Sequence, residues 1–117
     1  MIKQGDIYHI DVPFTYPNVH FGRHFYLVVS NNTCNRFSPV LHVVPLTSHD
    51  NGFVLHVPVV TVPYGRLNGY ICAEQITIIH RDMIKPDNFI CTLSSQCYDE
   101  VQQALLKQLG LGGEYNE

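Results

Sequence analysis

A chain of 117 residues with 45% hydrophobic and 15% charged side chains is long enough to bury one core without disulfide or metal staples, and this composition excludes a disordered protein. A formal charge of −3 excludes a protein that coats nucleic acid through a broad cationic field, while leaving room for a small basic cleft on an acidic body. No apolar run approaches the roughly 18–20 residues that span a bilayer, and the opening MIKQGDIY lacks a signal-peptide pattern, so a cytoplasmic protein without membrane contact is expected, folded as a single domain over residues 1–117.

Residues 5–12, GDIYHIDV, alternate Ile7, His9 and Asp11 against Tyr8, Ile10 and Val12, the period of a strand. Residues 13–22, PFTYPNVHFG, mix prolines, Asn and Gly with aromatics and read as a loop. Its Tyr16, His20 and Phe21 either pack on the body or stack on a nucleobase. Residues 25–29 form a short apolar run typical of a strand buried on both faces. Asn32 or Thr33 can then start a helical turn through Arg36, closed off by Pro39. Residues 40–46 supply the next strand, with Pro45 expected at an edge, bulge or strand end, and strand geometry stops near Thr47.

The run SHDNG at 48–52 predicts a turn, and residues 53–57 and 59–62 predict a strand interrupted by Pro58. After a turn at 63–68, residues 69–79 read as one further strand holding the polar pair Glu74 and Gln75, which a hydrogen-bonded network would satisfy. Residues 80–88 predict a short helix or turn before a strand at 89–93. Ser94 or Ser95 then caps a helix over 96–109, whose Cys97, Val101, Ala104, Leu105 and Leu109 recur at spacings of three and four, with Gly110 as its stop. The class is therefore β-rich α+β.

Cysteines at 34, 72, 91 and 97 make no CxxC pair and no zinc-knuckle spacing, and read as buried or idle thiols. Among the histidines at 9, 20, 24, 42, 49, 56 and 80, only His20 and His24 stand four apart, in a segment whose Gly22 and prolines argue for loop. No metal and no cofactor are expected. A GxSxG elbow and a Walker loop are both absent from the sequence.

The polar groups that cluster between Gly22 and Ser48 suit phosphodiester cleavage by the ribose 2′-hydroxyl. That reaction needs a donor to a phosphorane carrying extra negative charge, a base for the 2′ proton and an acid for the leaving 5′ oxygen. Arg23 can serve as the donor, and His24, with His20 as the alternative, can move protons because imidazole titrates near neutral pH. Thr47 can donate its hydroxyl to a nonbridging oxygen, and Asn35 and Arg36 form a polar turn beside the same stretch.

GDIY near the start, YLVVSNN followed by NRFSP, then VVPLTS and later EQITII together resemble the MazF/PemK family of toxin endoribonucleases, from about Lys3 to the C-terminal helix. The resemblance implies an SH3-like small barrel of antiparallel strands with a C-terminal helix, assembled as a homodimer. It further implies metal-independent, sequence-specific cleavage of single-stranded RNA, leaving 2′,3′-cyclic phosphate and 5′-hydroxyl ends, and inhibition by a cognate antitoxin protein. The family's catalytic threonine falls on Thr47, eight positions after Pro39. A gapless match puts His24 where the family carries its catalytic arginine, with Arg23 one residue earlier, so either side chain fills that place. Glu74 and Gln75 match the family's acidic–Gln pair, while Cys72 and Thr77 stand where relatives carry an arginine. Substrate contacts are assigned to His20, Asn35, Arg36, Ser48, Glu74 and Gln75. Two other readings stay open: a relative that binds RNA or an antitoxin without cleaving, and a gyrase-poisoning toxin of the same fold, whose C-terminal Trp-Gly-Ile this Trp-free chain lacks.

Overall fold

A computed structural model of the chain describes residues 1–13, 22–48, 56–60 and 68–111, with the backbone alone at 23, 60 and 68. The period-two stretch near the N-terminus forms β1 (Asp6–Val12), which pairs antiparallel with β2 (Gly22–Val28). Asn31 accepts a hydrogen bond from the Cys34 N–H at 2.8 Å and so caps α1 (Asn32–Phe37). β3 (Val40–Thr47) follows, then β4 (His56–Val60), β5 (Asn68–Cys72), β6 (Thr77–His80), two short 3₁₀ turns at Arg81–Met83 and Pro86–Asn88, β7 (Phe89–Thr92) and α2 (Ser95–Gln108). The expected loop at 13–22 lies largely outside the described residues, as do the expected turns at 48–52 and 63–68.

All seven described strands join one antiparallel sheet in the order β4-β5-β3-β2-β1-β7, with β6 placed beside β5 along the same edge of β3. Among these strands the sheet does not close, so the expected barrel is an open one, with β4 and β7 as its ends. Two sequence expectations need correction. Residues 69–79 are not one strand: the Gln75 N–H bonds the Cys72 carbonyl at 3.0 Å, a turn that ends β5 and lets β6 begin afresh at Thr77. Conversely, Pro58 does not interrupt its strand. β4 is an end strand, where alternate N–H groups face away from the sheet and a missing donor costs no ladder bond, so pairing with β5 runs from His56 to Val60 through an exposed Pro58.

Strand alternation divides the core between the two faces of the sheet. Ile7, Leu27, Val44, Leu46, Val57, Val59 and Ile71 share one cluster with Val101 and Ala104 of α2, while Tyr8, Ile10, Val12, Tyr26, Val28, Leu41 and Val43 share another with Ile79 and Ile84. Ser94 caps α2 by accepting from the Cys97 N–H, and Gly110, at φ +70°, ends it as expected. Buried Asp6 ties the two ends of the chain together, accepting from the Lys3 N–H at 3.0 Å and from the Thr92 hydroxyl at 2.7 Å. Arg81 closes the C-terminal end of α1 by donating to the Ser38 carbonyl at 2.7 Å and, at 3.4 Å, to the Cys34 carbonyl, which also accepts the Ser38 N–H at 2.9 Å.

Candidate active site

β3 changes neighbours where its sequence reads Pro-Leu-Thr. Up to Pro45 it pairs with β2, and from Leu46 to Thr47 it pairs with β5. Pro45 therefore sits at the exchange point, where a residue without an N–H is least disruptive. The β2–β3 register, Val28 with Val43, Leu27 with Val44 and Tyr26 with Pro45, brings His24 level with Thr47 when continued by two residues. His24 and Thr47 thus fall on the same face of the sheet, and both are half-buried. The backbone of Arg23 takes the neighbouring position on β2, opposite Asp11.

Thr47 is also held from its other side. A Cβ added at Gly69 would stand 2.9 Å from the Thr47 carbonyl oxygen, so β5 approaches β3 here at a distance that only glycine allows. Tyr70, the register partner of Thr47, is half-buried beside it, and Ser48 at the strand exit is exposed. Sequence reasoning missed Gly69, which reads there only as the first residue of the strand expected over 69–79.

The other expected contacts separate into three groups. His20 lies outside the described residues. Arg36 is exposed on α1, its guanidinium carbon 6.0 Å from the Phe37 ring centre, in a shallow groove shared with Asn32 and Thr33. Asn35 is 1% exposed, and its amide is consumed within the fold: Oδ1 accepts from the Ser30 hydroxyl at 2.5 Å, while Nδ2 donates to the Ser30 carbonyl at 2.9 Å and to Asn32 Oδ1 at 3.2 Å. Asn35, expected as a substrate contact, thus has its polar atoms engaged within the fold and shielded from solvent.

Glu74 and Gln75 occupy the turn between β5 and β6 and are half-buried. Glu74 Oε2 lies 3.1 Å from His56 Nε2, with the His56 side chain only 6% exposed and that of Glu74 23% exposed. Cys72, directly opposite His56 in the β4–β5 register, completes a group of three donor atoms that all lie within 4.8 Å of one another. Burial, together with the nearby Glu74 charge, pushes the Cys72 thiol up to about 12. Linear spacing does not reveal this group, since His56 and Cys72 meet only through strand pairing. Tyr26, on the same face as His24, is fully buried, and its hydroxyl has no hydrogen-bond partner among the described residues; burial, followed by the Asp11 charge, pushes it up to about 12.

The sequence model described as a PemK-like, MazF-like toxin of type II toxin–antitoxin systems matches residues 3–109. No curated protein sequence matches the chain. Among solved structures, MazF (Form-I) from Deinococcus radiodurans superposes with a TM-score of 0.81 at 17% identity, covering 94% of this chain and 97% of the other. An endoribonuclease in complex with its cognate antitoxin, from Mycobacterial species, gives 0.78 at 24% identity, covering 96% and 98%. A further endoribonuclease from Mycobacterial species gives 0.74 at 24% identity over 94% and 92%. At these identities the structural likeness establishes the fold, while the sequence match carries the family.

Proposed function

The chain belongs to the PemK-like, MazF-like family of type II toxins, and from that premise we propose that it is an endoribonuclease that cuts single-stranded RNA at specific sequences without a metal ion. The observation that supports the reading is the β2–β3 register, Tyr26 with Pro45 through Val28 with Val43, whose extension by two residues would bring the His24 imidazole level with the Thr47 hydroxyl. Arg23 adjoins His24 in sequence and supplies the cation that the phosphate requires.

The ribose 2′ oxygen attacks the adjacent phosphorus while the bond to the 5′ oxygen breaks, giving a 2′,3′-cyclic phosphate and a 5′-hydroxyl. His24 takes the 2′ proton as its imidazole becomes imidazolium, and a proton returned to the leaving 5′ oxygen completes the balance without consuming water. Arg23 and the Thr47 hydroxyl hold the nonbridging oxygens, where charge grows in the transition state and where fixed donors are worth most. Arg23 and His24 together perform the work that relatives give to one arginine. Arg36 and Ser48, both exposed, along with Gln75, contact the RNA to either side of the cut, and His20 joins them from the loop before β2. The protein acts as a cytoplasmic homodimer over its single domain and is silenced by a cognate antitoxin, as the complexes described for MazE-MazF from Deinococcus radiodurans illustrate for that protein.

The test is incubation of purified protein with a long RNA in the presence of EDTA, followed by mapping of fragment ends. Discrete fragments bearing cyclic phosphate and 5′-hydroxyl ends are expected, and Thr47→Ala, His24→Ala and Arg23→Ala should each slow their formation while leaving the thermal transition in place. Undiminished RNA binding without fragments would replace the enzyme by a binding protein. A fully active Thr47→Ala would remove the assigned site.

A further inference from the structure

We propose that His56, Cys72 and Glu74 form a site for a zinc-class divalent cation that clasps the β4–β5 hairpin to the turn following β5. The site is built by topology. Antiparallel pairing sets His56 directly across from Cys72, and the turn that ends β5 folds Glu74 back over the same position. The three donor atoms already lie within 4.8 Å of one another, with His56 Nε2 and Glu74 Oε2 at 3.1 Å. Tetrahedral zinc with its usual bonds to sulfur, nitrogen and oxygen separates its ligand atoms by about 3.3–3.6 Å, so a side-chain movement of about 1 Å closes the group around an ion.

Burial and charge agree with that occupant. Cys72 is 0% exposed, and Glu74 Oε1 is buried with no hydrogen-bond partner among the described residues. A buried carboxylate oxygen left unbonded points to a ligand, because such atoms are normally satisfied. A thiolate and a carboxylate together carry two negative charges, which one dication neutralises, leaving a buried cluster without net charge. One sulfur, one imidazole nitrogen and one carboxylate oxygen form a borderline-soft set that suits zinc and cobalt and disfavours magnesium and calcium, which demand oxygen ligands. Three protein ligands leave a fourth position to water. The cation braces the hairpin, and the cleavage steps described above do not pass through it.

The experiment uses the untagged full chain, stripped with chelator, dialysed free of it and titrated with Co²⁺ under reducing conditions. One cobalt per chain is expected, with a thiolate-to-cobalt charge-transfer band in the near ultraviolet and tetrahedral ligand-field bands in the visible, all of them erased by zinc. Cys72→Ser should abolish the charge-transfer band while Cys91→Ser keeps it. Glu74→Gln, at a partly exposed position, should weaken binding by about tenfold or more with the fold intact. Absence of the band in the wild-type protein, or its survival in Cys72→Ser, overturns the proposal. Should Cys72→Ser fail to fold, unchanged cobalt affinity in folded Glu74→Gln overturns it equally. None of these readouts depends on RNA cleavage, so an inactive nuclease with a cobalt band and an active nuclease without one remain distinguishable.

Discussion

Replacing Asn35 by alanine should damage stability and leave the chemistry of cleavage alone. Its amide makes three hydrogen bonds, at 2.5, 2.9 and 3.2 Å, and the Ser30 hydroxyl that it holds also accepts from the His42 N–H at 3.2 Å. The amide thus links α1 to the exit of β2 and to β3. A hydrogen bond contributes about 0.5–1.5 kcal/mol net, and a buried group stripped of its partner costs about 1–3 kcal/mol. Truncation strands the Ser30 carbonyl and frees its hydroxyl at a residue only 8% exposed, so the expected loss is about 2–4 kcal/mol. With a urea dependence of about 1–3 kcal/mol per molar, the midpoint should fall by about 1–2 M. Equilibrium urea unfolding followed by circular dichroism measures this directly. Ser30→Ala combined with Asn35→Ala should cost less than the sum of the two, because the partners share one network. A loss below about 0.5 kcal/mol, the scale of ordinary surface substitutions, would refute the structural assignment. So would a fully stable Asn35→Ala protein that no longer cleaves RNA, since that result restores Asn35 to the substrate.

Gly69→Ala should slow cleavage, because the new methyl would meet the Thr47 carbonyl oxygen at 2.9 Å and displace the strand end that carries the hydroxyl; displacement of about 1 Å can cost ~10²-fold in rate, and an unchanged single-turnover rate would contradict it. Tyr26→Phe should preserve or raise stability, since it removes a buried hydroxyl with no partner among the described residues. In the metal-free wild-type protein, Tyr26 and Cys72 are both pushed up to about 12 by burial, from ordinary values of 10.0 and 9.0. The folded chain therefore keeps protons that the unfolded chain releases, so this contribution is whole below about pH 9 and is lost as the pH rises toward 12. Melting temperature measured from pH 8 upward should fall accordingly, and less steeply in Tyr26→Phe; a flat profile would contradict the assignment.

Local patterns fixed the elements whose signals are local. The alternation at 5–12 became Asp6–Val12, and the spacing of three and four after Ser94 became a helix that Gly110 ends. The break between β5 and β6 left only the polar pair Glu74 and Gln75 as a mark, because the Ala73–Glu74 turn contains neither glycine nor proline. Pro58 misled for a complementary reason: its cost depends on whether the strand lies at an end of the sheet, and that is decided by strand order. The site divides in the same way. The candidate Thr47 comes from its motif, whereas the position of His24 relative to it follows from extending the β2–β3 register, and the group of His56, Cys72 and Glu74 depends on β4–β5 register. The residue type of Asn35 suits both a ligand contact and a buried clamp, and its burial was not legible in the sequence.

Pro58 carries a consequence for how this molecule meets other chains. The outer edge of an end strand is ordinarily open to recruitment, offering a ready row of donors and acceptors to any extended segment. In β4 that row is broken near its middle by a ring with no hydrogen to donate. A stray strand cannot run the length of this edge, so fibrous self-association through β4 is blocked by a residue that costs the sheet nothing. A partner that engages this side must grip side chains rather than extend the ladder.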